Sequence, residues 1–150
     1  MQFTNTITLN RQPIEVFAFL AHFENLPLWN YAISETRRIS GGPVGIGSRY
    51  WQARTLPTPS EETFTVTEFE PGHRLSIRGA LGPFEGDITY LLEPAGDATT
   101  LTNTMNLQAS GPMRLVAPLA ASRIKSAVAA NLDTLKDILE AGQHARVARP

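Results

Sequence analysis

The hydrophobic pattern changes period once, after Ser110-Gly111-Pro112, and that change limits the fold more than any other feature. Val116, Ala120, Ile124, Val128, Leu132, Leu135 and Leu139 recur every three or four residues, the spacing of one helix face, down to Gly142, which reads as a C-cap. At a rise of ~1.5 Å per residue, about 30 residues span ~45 Å, enough to cross a whole sheet. Pro118 lies inside the run and predicts a kink or a broken first turn.

Before that point most of the chain alternates with a period of two. Phe3, Ile7 and Leu9 alternate with Thr4, Thr6 and Thr8, predicting a strand over 2–10. Pro13 suits the first position of a helix whose apolar side carries Ile14, Phe17, Ala18 and Ala21, widened by Val16 and Leu20, and which ends near His22. Phe23 to Asn30, interrupted by Pro27, reads as a second short helix or turn. Strands are then predicted at 33–39, 48–55, 62–70, 74–79, 84–93 and 99–109, separated by Gly- and Pro-rich turns. Six strands with hairpin-length connections imply an antiparallel meander. Seven strands and one large helix predict an α+β fold in which the sheet must curl around that helix.

Composition narrows the function classes. A chain of 150 residues, 42% of them hydrophobic, holds one core, here assigned to a single domain over 1–142 with a flexible C-terminal tail over 143–150. The absence of cysteine removes disulfides, thiolate nucleophiles and sulfur-ligated zinc. Thirteen basic and fourteen acidic residues leave a formal charge of -1, so no field for steering nucleic acid is expected. No stretch approaches the ~20 apolar residues of a membrane span, and Met1 to Asn5 lacks a basic leader, so the expected location is cytoplasmic, with no integral membrane segment.

Several local motifs occur in a characteristic order. They are Pro13-Ile14-Glu15-Val16-Phe17-Ala18-Phe19-Leu20 with Leu26-Pro27-Leu28-Trp29, then Gly45-Ile46-Gly47-Ser48-Arg49-Tyr50, then Val66 to Leu75 through Glu70-Pro71-Gly72-His73. Thr99-Thr100-Leu101-Thr102 after Glu93-Pro94, and Asn131-Leu132-Asp133-Thr134-Leu135-Lys136, complete the set. Over residues 2–141 the chain thereby resembles the START-like (SRPBCC) superfamily, and within it the bacterial polyketide cyclase/dehydrase and lipid-transport group. The resemblance implies the helix-grip fold, a seven-stranded curved antiparallel sheet wrapped around a long C-terminal helix, with two short helices after strand one. It also implies a ligand cavity between sheet and helix. Because the superfamily spans carriers, receptors, cyclases and interaction domains, it leaves the chemistry open.

Alternation points Phe84, Gly86, Ile88, Tyr90 and Leu92 of one strand inward, and Leu101, Asn103, Met105 and Leu107 of the next. Asn103 is the anomaly, because a buried carboxamide needs a partner, either within the protein or on a ligand. In strand 48–55 the face Tyr50/Gln52/Arg54 or the face Arg49/Trp51/Ala53 could point inward, and pattern alone does not choose. The family resemblance favours Tyr50, Gln52 and Arg54, with Arg54 either holding a carboxylate or enolate or lying at the surface. Phe64 and Ile77 join the expected inner wall, and Trp29 serves either the core or the cavity entrance. The Tyr31 hydroxyl is placed to meet a ligand carbonyl. Met113, Val116, Ala117, Ala120 and Ile124 would roof the pocket, and Gly79 and Gly86 fit either ligand space or close packing.

Catalytic constellations are sparse. His22, His73 and His144 fall in a helix end, a turn and the tail, so neither a triad nor a metal site is expected. His22 and Glu24 lack the cysteines of a zinc deaminase, and Gly45-Ile46-Gly47 lacks the third glycine of a dinucleotide fingerprint. Ser48 and Ser110 have no nucleophile-elbow context, and Glu85 and Asp87 face outward. No cofactor or metal is implied. The expected function is binding of a small hydrophobic molecule, a lipid, isoprenoid or polyketide-like compound, with homodimerisation left open. An aromatase/cyclase enzyme comes second and a protein-interaction module with a vestigial cavity third.

Overall fold

The computed structural model describes the backbone of residues 1–148 and the side chains of residues 1–141. Strand β1 (Gln2–Leu9) leads into helix α1 (Pro13–Ala21), a 3-10 turn (Phe23–Asn25) and the one-turn helix α2 (Leu26–Trp29). Strands β2 (Ile33–Arg38), β3 (Arg49–Arg54), β4 (Ser60–Glu70), β5 (Arg74–Leu81), β6 (Phe84–Ala95) and β7 (Ala98–Ala109) follow, and then helix α3 (Met113–Ala148).

The seven strands form one curved antiparallel sheet in the order β1-β7-β6-β5-β4-β3-β2. The meander arises because consecutive strands are joined by short connections, two to five residues from β3 onward and ten between β2 and β3, and β1 closes the far edge by pairing Phe3 with Met105 and Ile7 with Leu101. β6 buries Phe84, Gly86, Ile88, Tyr90 and Leu92, as the alternation predicts. β3 turns Tyr50 and Gln52 inward and leaves Trp51 on the outer face under the Arg37 guanidinium, 4.3 Å from the ring centroid. On β4 a register shift between Val66 and Glu68 lets Phe69 rejoin the inner side, where it meets Phe17 edge-on at 5.2 Å.

Two helical details depart from expectation. On α1 the buried residues are Val16, Phe17 and Leu20, while Ile14 is 54% exposed over the turn at Gly72. The sheet is met by the face centred on Val16 and Leu20, so the stripe is rotated from the one through Ile14 and Ala18. Helix α3 passes through Pro118 without interruption and continues past Gly142, which therefore is not its C-cap. The expected flexible tail over 143–150 lies outside the residues whose side chains are described.

The C-terminal half of α3 is the core element. Val128, Leu132, Leu135 and Leu139 are buried against the sheet. Lys136 Nζ donates to the Thr8 carbonyl at 2.7 Å, and Arg11 Nη1 donates to the Leu139 carbonyl at 2.9 Å, which fixes this half across the end of β1.

The curl of the sheet has a local cause. Gly79 and Gly86 are cross-strand partners on β5 and β6. A Cβ on Gly79 would strike the Thr63 carbonyl oxygen of β4, and one on Gly86 the Asn106 carbonyl oxygen of β7. Neither obstacle is a side chain that can swing away, so both positions require glycine where adjacent strands bend together. These glycines therefore serve curvature rather than ligand space or helix packing. Gly86→Ala is expected to cost ~1–3 kcal/mol through forced backbone displacement. At ~2–4 °C per kcal/mol that lowers Tm by about 2–12 °C in calorimetry, and an unchanged Tm would contradict this reading.

Candidate functional site

Phe23 of the 3-10 turn packs on Tyr50 at 4.8 Å and Phe64 at 5.2 Å, and Tyr50 stacks on its cross-strand partner Phe64 at 5.1 Å. This aromatic cluster fills the space under the 3-10 turn. Burial, with a smaller contribution from the Glu24 charge, raises the Tyr50 hydroxyl above its ordinary pKa against the pull of Arg38.

Beside the cluster lies a cavity of about 480 Å³ between the sheet, α2 and the N-terminal half of α3. Thirteen of the expected residues line it: Trp29, Tyr31, Gln52, Arg54, Ile77, Phe84, Ile88, Tyr90, Asn103, Met105, Met113, Ala120 and Ile124. Tyr50 and Phe64 do not, because they are spent on the aromatic cluster. Val116 is 43% exposed and does not border the void, lying at the edge of the face that carries Met113, Ala120 and Ile124. Ala117 is half-buried yet does not border the void.

Other wall residues were not singled out from sequence. Ala127 and Asn131 continue the spacing of Ala120 and Ile124, a signal that was available. Leu56 and Pro57 of the β3–β4 loop and Leu81 and Pro83 at the β5–β6 turn also border the void. No periodicity reports on loops, so these were not legible. Arg123 lines the same space from an exposed position on α3.

Behind the wall residues Gln52 and Arg54 lies Glu62, whose side chain is 2% exposed. Its Oε1 accepts from Gln52 Nε2 at 2.7 Å and from Arg54 Nε at 2.9 Å, and Arg54 Nη2 lies 2.8 Å from the same oxygen. Its Oε2 accepts from the Gly82 backbone N–H at 2.8 Å. Arg54 is thus no surface arginine: its Nε and Nη2 are committed to Glu62, while Nη1 reaches toward the Leu56 carbonyl at 3.5 Å. Glu62 stands in phase with Phe64 and Val66 on β4, so alternation marks it as inward.

Three further groups complete the electrostatics. Gln52 Oε1 and Asn103 Oδ1 are buried without a hydrogen-bond partner. Tyr90, opposite Asn103 in the ladder, meets Trp29 edge-on at 6.3 Å, and burial pushes its hydroxyl well above the ordinary phenol range, keeping it protonated. Asp87 is held by Arg78 at 2.8 Å on the outer face, and Glu85 is exposed there.

A curled antiparallel sheet gripping one long helix, with an apolar void between them, defines a START-like helix-grip protein. The sequence matches the family described as polyketide cyclase/dehydrase and lipid transport over residues 1–140, and the chain belongs to that family. A protein of Thermus thermophilus superposes with a TM-score of 0.79 at 15% identity, covering 95% of this chain and 99% of that one. The Zhui aromatase/cyclase of a Streptomyces species gives 0.74 at 11% identity, covering 93% of each chain. A START superfamily protein of Mycobacterium smegmatis gives 0.72 at 15%, covering 93% and 97%. At such identities these likenesses carry the fold. No curated protein matches the sequence. The family description fits a protein that binds a hydrophobic ligand or resembles a polyketide cyclase. Among the described residues, no helix is long and apolar enough to cross a membrane.

The Glu62 network yields a stability test. Glu62→Leu strands the Arg54 charge and the Gln52 amide, which is expected to cost about 3 kcal/mol in denaturant unfolding. Adding Arg54→Met removes the stranded charge and should recover much of the loss. Equal stability of Glu62→Leu and the parent protein would show that the network is not coupled to folding.

Proposed function

We propose that this chain binds a small hydrophobic or aromatic molecule, with a lipid, isoprenoid or polyketide-like body, in the cavity between the sheet and α3. The observation that carries this reading is the void itself, about 480 Å³ and walled largely by apolar groups such as Ile77, Ile88, Met105 and Leu107. Interiors of proteins ordinarily close to voids hardly larger than water, whereas ligand pockets run to roughly 300–1,000 Å³. Small side chains at Ala120 and Ala127 keep the helix from filling the space. We propose a cytoplasmic location for this binding activity.

The cyclase reading has the family description in its favour. Against it, the ionisable side chains lining the void among the described residues are Arg54, Arg123, Tyr31 and Tyr90, with no acid and base pair. An interaction module finds support in one feature, the exposed Leu115, Val116 and Leu119 on the outer side of α3, which is also the surface a homodimer would use. The open cavity beneath is not the vestige that reading requires.

Ala120→Trp places an indole in the void without touching the packed half of α3. The parent protein is expected to bind 1-anilinonaphthalene-8-sulfonate saturably, and the variant about tenfold more weakly or not at all, with Tm changed by no more than a few degrees. Fluorescence titration reads the difference. Equal binding by both proteins, or none by the parent, would contradict a cavity site.

A further inference from the structure

We infer that one end of the molecule, formed by the tip of α3 and the loops beside it, docks peripherally on an anionic lipid surface, a contact that goes beyond ligand binding inside the cavity. The strand register gathers the segments concerned. Arg54 at the end of β3 pairs with Ile33 at the start of β2 and with Ser60 at the start of β4. Leu81 pairs with Phe84, Phe84 with Ala109, and the Gly82 N–H reaches Glu62 on β4. The approach to β2 with Tyr31, the β3–β4 loop with Leu56, the β5–β6 turn and the start of α3 therefore share one end of the sheet. Tyr31, Leu56, Leu115 and Leu119 are exposed there, and the first two also border the void, so apolar surface runs from the cavity wall to the outside.

Charge selects the occupant. Between Asp97 and Asp133 the sequence holds no acid, in a chain whose formal charge is -1 overall. Leu115 and Leu119 stand one turn apart on α3, and their stripe continues through the exposed Ser122, Ser126 and Asp133, so only the tip of the helix is apolar. Arg114 and Lys125 lie on one flank of that stripe and Arg123 on the other, all exposed. Of the acids near this end, Glu62 is buried against Arg54, Glu35 is paired with Arg37, and Glu61 and Glu85 point to the outer face of the sheet. Apolar side chains flanked by cations suit the boundary between acyl chains and acidic head groups. At 84% and 78% exposure, Leu115 and Leu119 stand clear of their neighbours. A fluid lipid surface accommodates such protrusions, whereas a protein partner or a second copy would need a matching hollow. Among the described residues no helix can cross a bilayer, so the contact is confined to its surface.

Co-sedimentation of the intact chain with lipid vesicles tests this. The parent protein is expected to bind phosphatidylcholine vesicles containing about 30% phosphatidylglycerol at least about tenfold more tightly than vesicles of phosphatidylcholine alone. Raising salt from about 0.1 M to about 0.5 M should weaken that binding several-fold. The double variant Leu115→Ser/Leu119→Ser removes the apolar tip and is expected to lose about tenfold. Arg114→Gln/Lys125→Gln is expected to lose roughly fivefold per charge removed. None of these four side chains borders the void, so Tm and 1-anilinonaphthalene-8-sulfonate titration should stay at parent values in both variants. That second readout separates failure of the docking inference from failure of the cavity reading. Absence of vesicle binding by the parent, equal binding to neutral and anionic vesicles, or parent-like binding by both variants overturns the inference. A dimer in analytical ultracentrifugation that Leu115→Ser/Leu119→Ser dissolves also overturns it, by assigning the leucines to a second copy of the chain.

Discussion

The structure depends on how closely four strands approach one another at Gly79 and Gly86. A sheet of seven strands with one covering helix cannot bury its concave face if it stays open, so it must bend about that helix. At these positions backbone carbonyls of β4 and β7 occupy the space a side chain would need. Two paired glycines on neighbouring strands thus convert a meander into a grip. The long helix then finds a surface that already curves toward it, and its C-terminal half packs there through Val128, Leu132, Leu135 and Leu139.

Curvature and side-chain size together make the void. Where α3 turns Val128, Leu132, Leu135 and Leu139 to the sheet it meets it, and where it turns Ala120 and Ala127 it stands off. The aromatic cluster of Phe23, Tyr50 and Phe64 fills the space under the 3-10 turn beside the void. The remaining wall is apolar apart from Asn30, Tyr31, Gln52, Arg54, Tyr90, Asn103, Arg123 and Asn131.

Much of this was legible in the sequence, for physical reasons. Period-two alternation fixed the inner faces of β6 and β7 and marked Asn103 as out of place, and period 3.6 found α3. The same alternation should have flagged Glu62, whose pairing with Arg54 decides what that arginine can do. Cross-strand partners are invisible to a pattern read along one strand, so the inner face of β3 stayed open and the free arginine was an error of isolation. The glycines were misread because their requirement comes from the backbones of neighbouring strands. Val116 belonged to the helical repeat but falls at the exposed edge of that face and not in the wall. The loop residues at 56–57 and 81–83 enter the wall through hairpin geometry alone.

The functional conclusion reduces to whether this interior is occupied in the cell. Native mass spectrometry of the chain purified from its own host under gentle conditions addresses that directly. The expected result is the polypeptide mass plus one discrete small-molecule increment that disappears on acid denaturation and is lost in Ala120→Trp. The bare polypeptide mass in every preparation would contradict an occupied cavity.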